Sequence, residues 1–250
     1  MKNSTKNLVA YITSGYPDKN FSIDLALALG ENGVDTLELG VPFSDPVADG
    51  PAIENANHKA LELGFKFKDL LEISKVVAPK VDTLWMGYFN SFYQQNMQEL
   101  IPHAKSLGVN GLIIPDVPYE ESLAYKELFD AHEMTNISFV APTDSEERIA
   151  TIVKDAQKFI YMVAYTGITG SGTAEDLQPF LASIKKYTQT PVYVGFGVNE
   201  KTAKEKVKGA DGVIVGSAFI NILLDEQLSK SQKITNCAKL AKNIKELINE

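Results

Sequence analysis

Residues 34–51 read VDTLELGVPFSDPVADGP. Its opening alternates as a strand does, with Val34, Thr36 and Glu38 on one face and Asp35, Leu37 and Leu39 on the other. Leu37 and Leu39 need an apolar layer, so Glu38 points the opposite way. In a parallel sheet covered by helices that second side is also interior, and a carboxylate there is costly unless it has a task. After Gly40 the pattern gives way to a Pro- and Gly-punctuated loop carrying Asp45 and Asp49, and Pro51 suits the first turn of a helix. One carboxylate at a strand end and two on the loop beyond form a candidate acid–base cluster. The plainer reading makes Glu38 a structural ion-pair partner and the loop acids helix caps.

Outward from this stretch, strands and helices alternate. Leu8–Ser14 reads as the first strand, followed by a helix over Asn20–Asn32 that Gly33 stops. Helices are predicted at Pro51–Leu63 and about Lys68–Ala78, and a third strand at Val81–Tyr88. The alternation continues with helix Gln94–Leu107, strand Val109–Ile114, helix Glu120–Ala131, strand Ile137–Val140 and helix Ser145–Gln157. Strand Phe159–Ala164, helix Leu177–Tyr187, strand Val192–Gly195, helix Glu200–Val207 and strand Gly212–Val215 follow. A short helix near Ser217–Leu224 and a longer one near Lys233–Ile248 end the chain. About eight strands share 250 residues, roughly 31 per unit, the scale of βα units. No linker or low-complexity segment divides the chain. The expectation is a single α/β domain over residues 1–250, a (β/α)8 TIM barrel, with an open doubly wound sheet as the alternative.

Composition narrows the function classes. A hydrophobic content of 44% is ample for one large core, and a formal net charge of −8 argues against a broad nucleic-acid-binding surface. Cys237 is the only cysteine, which leaves no intrachain disulfide and no cysteine-based metal site. No apolar run approaches the length of a membrane span, and Met1–Asn7 is too short and polar for a signal peptide. A soluble, cytoplasmic domain that binds neither nucleic acid nor membrane is expected.

In a barrel the active site lies at the C-terminal strand ends. His58, His103 and His132 fall within helices or at their ends, so neither a catalytic nor a metal-binding histidine is expected. Lys80 and Lys158 stand at strand starts, which disfavours a Schiff-base lysine. Glu38, Asp49 and Asp116 remain, with Tyr11, Tyr88 and Tyr161 as neighbours. The last units carry a second constellation. Residues 166–172, TGITGSG, include Thr169 and Gly170 and follow the sixth strand; Gly195-Phe196-Gly197 follows the seventh; Val215-Gly216-Ser217-Ala218 leads from the eighth into a helix. Glycines let backbone amides approach a ligand and a helix N-terminus favours an anion, so a phosphate site is expected, although glycines also close ordinary turns.

These motifs resemble the α subunit of tryptophan synthase. LELGVPFSDPVADGP matches that family's hallmark almost throughout, and PDVPYEES, YTGITG, GFGV and VGSA follow in the family's order, from about Leu8 to near the C-terminus. The resemblance implies cleavage of indole-3-glycerol phosphate to indole and glyceraldehyde 3-phosphate, a lyase step of tryptophan biosynthesis. It also implies an α2β2 complex with a β subunit that joins the indole to serine. Pyridoxal phosphate is then expected in the β subunit alone, with no cofactor in this chain.

By the same resemblance Glu38 is the general acid–base and Asp49 the carboxylate that meets the indole N–H. Tyr161 corresponds to the tyrosine beside the glutamate, and Tyr11 stands where a phenylalanine commonly lines the indole pocket. Gly170, Gly197, Gly216 and Ser217 correspond to the phosphate cradle, and the loops after Gly40 and Tyr165 to mobile lids. Retro-aldol cleavage needs an electron sink, and an indole ring protonated at C3 provides its own, so carboxylates suffice. There are two departures from the family pattern: a first strand already reached by about Leu8, without a leading helix, and Tyr165 where some relatives carry arginine. The rival readings are another phosphate-binding barrel enzyme and a non-catalytic regulatory partner.

Overall fold

In the structure, a computed structural model describing residues 5–163 and 177–250, nine strand segments form one parallel sheet. They are β1 (Asn7–Thr13), β2 (Thr36–Gly40), β3 (Asp82–Met86), β4 (Val109–Ile113), β5 (Thr135–Asn136), β6 (Ser138–Val140), β7 (Ile160–Val163), β8 (Val192–Gly195) and β9 (Gly212–Val215). Their order is β5-β4-β3-β2-β1-β9-β8-β7-β6. The two ends of that order are consecutive pieces of chain, so the sheet closes on itself. The result is the expected (β/α)8 barrel, with its fifth strand split at Ile137; Ile137 N–H still donates to the Leu112 carbonyl at 3.0 Å. The open-sheet alternative is set aside.

Strand β2 carries out the division read from its alternation. Leu37 and Leu39 are fully buried in the layer between sheet and helices. Their burial supplies about 3–6 kcal/mol, enough to offset an interior carboxyl that costs about 1–3 kcal/mol without a partner. On the opposite side Val9, Leu84, Ile113, Ile137, Phe159, Tyr193 and Ile214 fill the barrel's middle. Phe159 and Tyr193 stack there with centroids 4.5 Å apart.

Several helix boundaries move for identifiable reasons. The segment expected as one helix over Glu120–Ala131 is three short pieces: Tyr119–Ser122, a 3₁₀ turn Leu123–Tyr125, and Lys126–Ala131. The helix expected from Gln94 begins at Met97, because Asn96 adopts φ +60° and its side chain caps Gln98 N–H. Glu200–Val207 shrinks to Ala203–Lys206. The last helix starts earlier, at Lys230, under a Ser229/Gln232 capping box. The strand expected through Ala164 is described only to Val163, and Thr169, Gly170 and Tyr165 lie outside the described residues. Among the described residues no helix is long and apolar enough to cross a membrane.

Candidate active site

Register places Glu38 on β2 level with Tyr11 on β1 and Leu84 on β3. Its side chain enters the barrel interior, where it is 2% exposed, and among the described residues Oε1 has no hydrogen-bond partner. Burial, and then the nearby Asp49 carboxylate, push the Glu38 carboxyl up to about 8. Two carboxyls in one interior space cannot both ionise cheaply.

Asp49 enters from the loop between β2 and the helix Pro51–Glu62, which starts on Pro51 as expected. The Tyr88 hydroxyl, just beyond β3, donates to Asp49 Oδ2 at 3.0 Å and accepts from Ala48 N–H at 2.9 Å. One tyrosine thus fixes both the loop and its acid; its ring also stacks on Phe43. Burial raises the Asp49 carboxyl to about 6, against the opposing pull of the Tyr88 hydrogen bond. The two acids are therefore held apart in acidity, the arrangement that lets one donate a proton while the other stays charged.

Glycines make room for the aromatic walls. A Cβ on Gly40 would collide with the Tyr11 ring, and one on Gly195 with the Tyr161 ring. Each tyrosine therefore lies across the neighbouring strand instead of standing upright. Tyr161 stacks on Phe139 with centroids 5.0 Å apart, and Tyr11 Oη lies 3.4 Å from Thr13 Oγ1. Burial holds the pKa of both phenols well above its ordinary value, so both stay protonated.

These groups line a cavity of about 750 Å³, floored by Met86 and Ile113. One end is acidic and aromatic, with Glu38, Asp49, Tyr11 and Tyr161. The other is backbone-rich, with Phe196, Gly197, Gly216 and Ser217. Phe196 and Gly197 both take positive φ, +85° and +63°. Gly216 precedes helix Ser217–Leu224 with no side-chain cap, and Gly216, Ser217 and Ala218 at that helix start line the cavity.

The sequence-predicted residues thus divide. Glu38, Asp49, Tyr11, Tyr161, Gly197, Gly216 and Ser217 share one cavity. Asp116 does not belong to it: its Oδ1 caps Phe89 N–H at 2.9 Å, the helix-cap role weighed for such acids. Asp45 is exposed on the loop, bonded to Ser44. Tyr88, noted only as a neighbour, is the residue that holds Asp49, and Phe139 completes the wall. Alternation along β3 and β6 carries no mark of either role.

A buried, differentially acidic carboxylate pair above an apolar slot, at the C-terminal ends of a (β/α)8 barrel, defines a barrel enzyme built for acid–base chemistry. Residues 1–249 match the family model of the tryptophan synthase alpha chain. The chain is similar to the alpha chain of Wolinella succinogenes, 58% identical over 98% of this chain and 97% of that one. Among solved structures it is similar to the alpha subunit of Campylobacter jejuni tryptophan synthase (32% identity, 95% and 96% of the chains, TM-score 0.86). It is similar also to Mycobacterium tuberculosis tryptophan synthase (29%, 98% and 93%, TM-score 0.88). The chain belongs to the tryptophan synthase alpha chain family, lyases that cleave indole-3-glycerol phosphate to indole and glyceraldehyde 3-phosphate.

Proposed function

We propose that residues 1–250 act as one domain that performs this cleavage with Glu38 as the general acid–base and Asp49 as the charge partner of the indole nitrogen. The observation that carries the reading is geometric: Glu38, 2% exposed with Oε1 unpartnered among the described residues, and Asp49, held by the Tyr88 hydroxyl at 3.0 Å, line one cavity. Burial there pushes their carboxyls up to about 8 and about 6. At neutral pH Glu38 holds a proton to give and Asp49 holds a charge. Glu38 protonates indole C3, and positive charge develops at the ring N–H, where Asp49 stabilises it. The Glu38 carboxylate then takes the proton of the side-chain hydroxyl next to the ring. As that C–O becomes a carbonyl, the bond from C3 to the side chain breaks and its electron pair restores the indole. Indole keeps the proton delivered to C3, Glu38 is left protonated by the hydroxyl's proton and ready for the next turnover, and glyceraldehyde 3-phosphate leaves.

Tyr11, Tyr161 and Phe139 sandwich the ring, and the cavity's backbone-rich end, Gly197, Gly216 and Ser217, receives the phosphate. Thr169 and Gly170 belong to the same cradle by resemblance. The chemistry needs no cofactor in this chain. Its physiological partner is a β subunit in an α2β2 complex in the cytoplasm, which takes up the indole with pyridoxal phosphate of its own. The loop Val41–Gly50 acts as a lid, tied at Ala48 and Asp49 but exposing Val47 at 84%.

Release of indole from indole-3-glycerol phosphate by the purified chain, alone and across a titration of its β subunit, tests the reading. Slow turnover alone and at least about tenfold faster turnover in the complex are expected, within ordinary allosteric coupling. No indole under either condition refutes the assignment, and a flat titration refutes the partnership.

A further inference from the structure

The phosphate end of the cavity is backed by a cation that the reading above leaves without a task. Lys206 ends the short helix Ala203–Lys206 and is half-buried. Its neighbours behave as surface lysines do: Lys204 pairs with Glu250 at 2.7 Å and Lys208 with Glu205 at 2.8 Å. Lys206 turns inward, and its Nζ donates to the Phe196 carbonyl at 2.8 Å. Among the described residues no ion pair includes it. A half-buried ammonium satisfied by a carbonyl dipole is an uneconomical way to tether a loop, since a neutral donor would serve as well. Burial accordingly lowers its pKa.

Its position gives the ammonium a purpose. A Cβ on Gly197 would stand 3.1 Å from Lys206 Nζ, so the charge lies directly against the turn. The Gly197 carbonyl is taken by the Thr202 hydroxyl at 2.8 Å. Lys206 and Thr202 therefore hold two successive carbonyl oxygens of a turn whose residues both take positive φ. Carbonyl oxygens facing an anion would repel it, so engaging them elsewhere favours presentation of amides. A positive charge one backbone layer behind the turn adds attraction that a neutral tether lacks.

We infer that Lys206 is a positioning residue for phosphate: it anchors the Phe196–Gly197 turn from behind and charges the anion subsite without touching the ligand. The inference rests on the assignment of that end of the cavity to phosphate. The test compares calorimetric binding of sn-glycerol 3-phosphate with that of indole-3-propanol, which lacks phosphate, to the parent chain, Lys206→Met and Lys206→Arg. In Lys206→Met the phosphate ligand should weaken roughly tenfold, about 1.4 kcal/mol, and the neutral ligand less than about twofold. Binding of the phosphate ligand should also lose part of its salt dependence. Lys206→Arg, which keeps the charge, should recover most of the affinity, and in turnover the loss should appear in KM rather than kcat.

Equal weakening of both ligands would mean a collapsed turn and would overturn the inference, as would no weakening. A parent chain that does not bind glycerol 3-phosphate overturns the phosphate assignment and this inference together. Parent binding that is unaltered in Lys206→Met overturns the inference alone. Should Lys206→Met not fold, the ¹³C resonance of the Lys206 ε-methylene in the parent decides. It should shift on saturation with glycerol 3-phosphate and not with indole-3-propanol; no difference between the two rejects the charge's role.

Discussion

Asp82 and Glu38 stand on adjacent strands of one barrel, at opposite ends of its interior, and their surroundings treat them oppositely. Asp82 opens β3 at the closed end. Thr36 Oγ1, Asn110 Nδ2 and Lys158 Nζ each reach it at 2.7 Å. Burial pushes its carboxyl up, but those three contacts outweigh burial and hold it below its ordinary value. Glu38 receives no such help: one oxygen is orphaned and its carboxyl is pushed up to about 8. The same side-chain chemistry is made structural by supplying donors and reactive by withholding them.

The sharpest way to break the comparison is to remove the reactive charge. Glu38→Gln should lower indole release by on the order of 10²–10⁴-fold while the chain stays folded. Steady-state turnover beside a thermal melt reads both, and near-normal turnover in a folded variant would move the acid–base role elsewhere. Asp82→Asn should do the reverse. It should cost about 2–3 kcal/mol of stability, because Lys158 loses its counter-charge, and leave kcat within about twofold. Urea unfolding measures the first. A large kcat loss in a stable variant would erase the distinction between the two ends.

Tyr88→Phe lies between them, since it removes the donor to Asp49 and the acceptor for Ala48 N–H together. A loss of about 1 kcal/mol, roughly three- to tenfold in kcat/KM, is expected. The lower limb of the pH–rate profile should move to higher pH, because the hydrogen bond that opposes the rise of the Asp49 pKa is gone. A limb that does not move would detach Tyr88 from Asp49's ionisation.

The smallest effect is in the pH dependence of stability, where the two acids should have opposite signs. Glu38 keeps its proton in the fold up to about 8 but loses it near 4.5 when unfolded. Its contribution therefore falls as pH rises through that window. The folded carboxyl of Asp82 is depressed below 3.8, so its contribution is complete above that value and lost as pH falls through the folded one. Stability measured from pH 3 to 9 should lose much of its decline between about 4.5 and 8 in Glu38→Gln and part of its acid decline in Asp82→Asn. Unchanged slopes would contradict these assignments.

The carboxylates and the barrel were legible in the sequence because both rest on local signals. Alternation in residues 34–39 turns Glu38 inward, and glycines and prolines mark each turn. What stayed hidden depends on contacts far apart in the chain. Nothing near Tyr88 says that its hydroxyl reaches a loop some forty residues earlier, and Asp116 looks like any acid at a strand end until Phe89 N–H is seen above it. Lys206 sits in a lysine-rich run, and only packing separates it from Lys204 and Lys208. The helix expected over residues 120–131 is not continuous either: helix formers fill that stretch, yet it folds as three short pieces.

The split in the fifth strand carries a consequence for how this barrel comes apart. β4 meets β5 through two paired residues and β6 meets β7 through three, whereas β1 and β2 share five. A second cavity, of about 330 Å³, adjoins the split at Asn136, Ile137 and Ser138. Fewer ladder bonds beside a cavity give this seam a lower local opening free energy than the β1–β2 junction. Backbone amides of residues 135–140 should therefore exchange with solvent deuterium before those of β1 and β2, and the barrel should unzip from that side with the wall that carries Glu38 still closed.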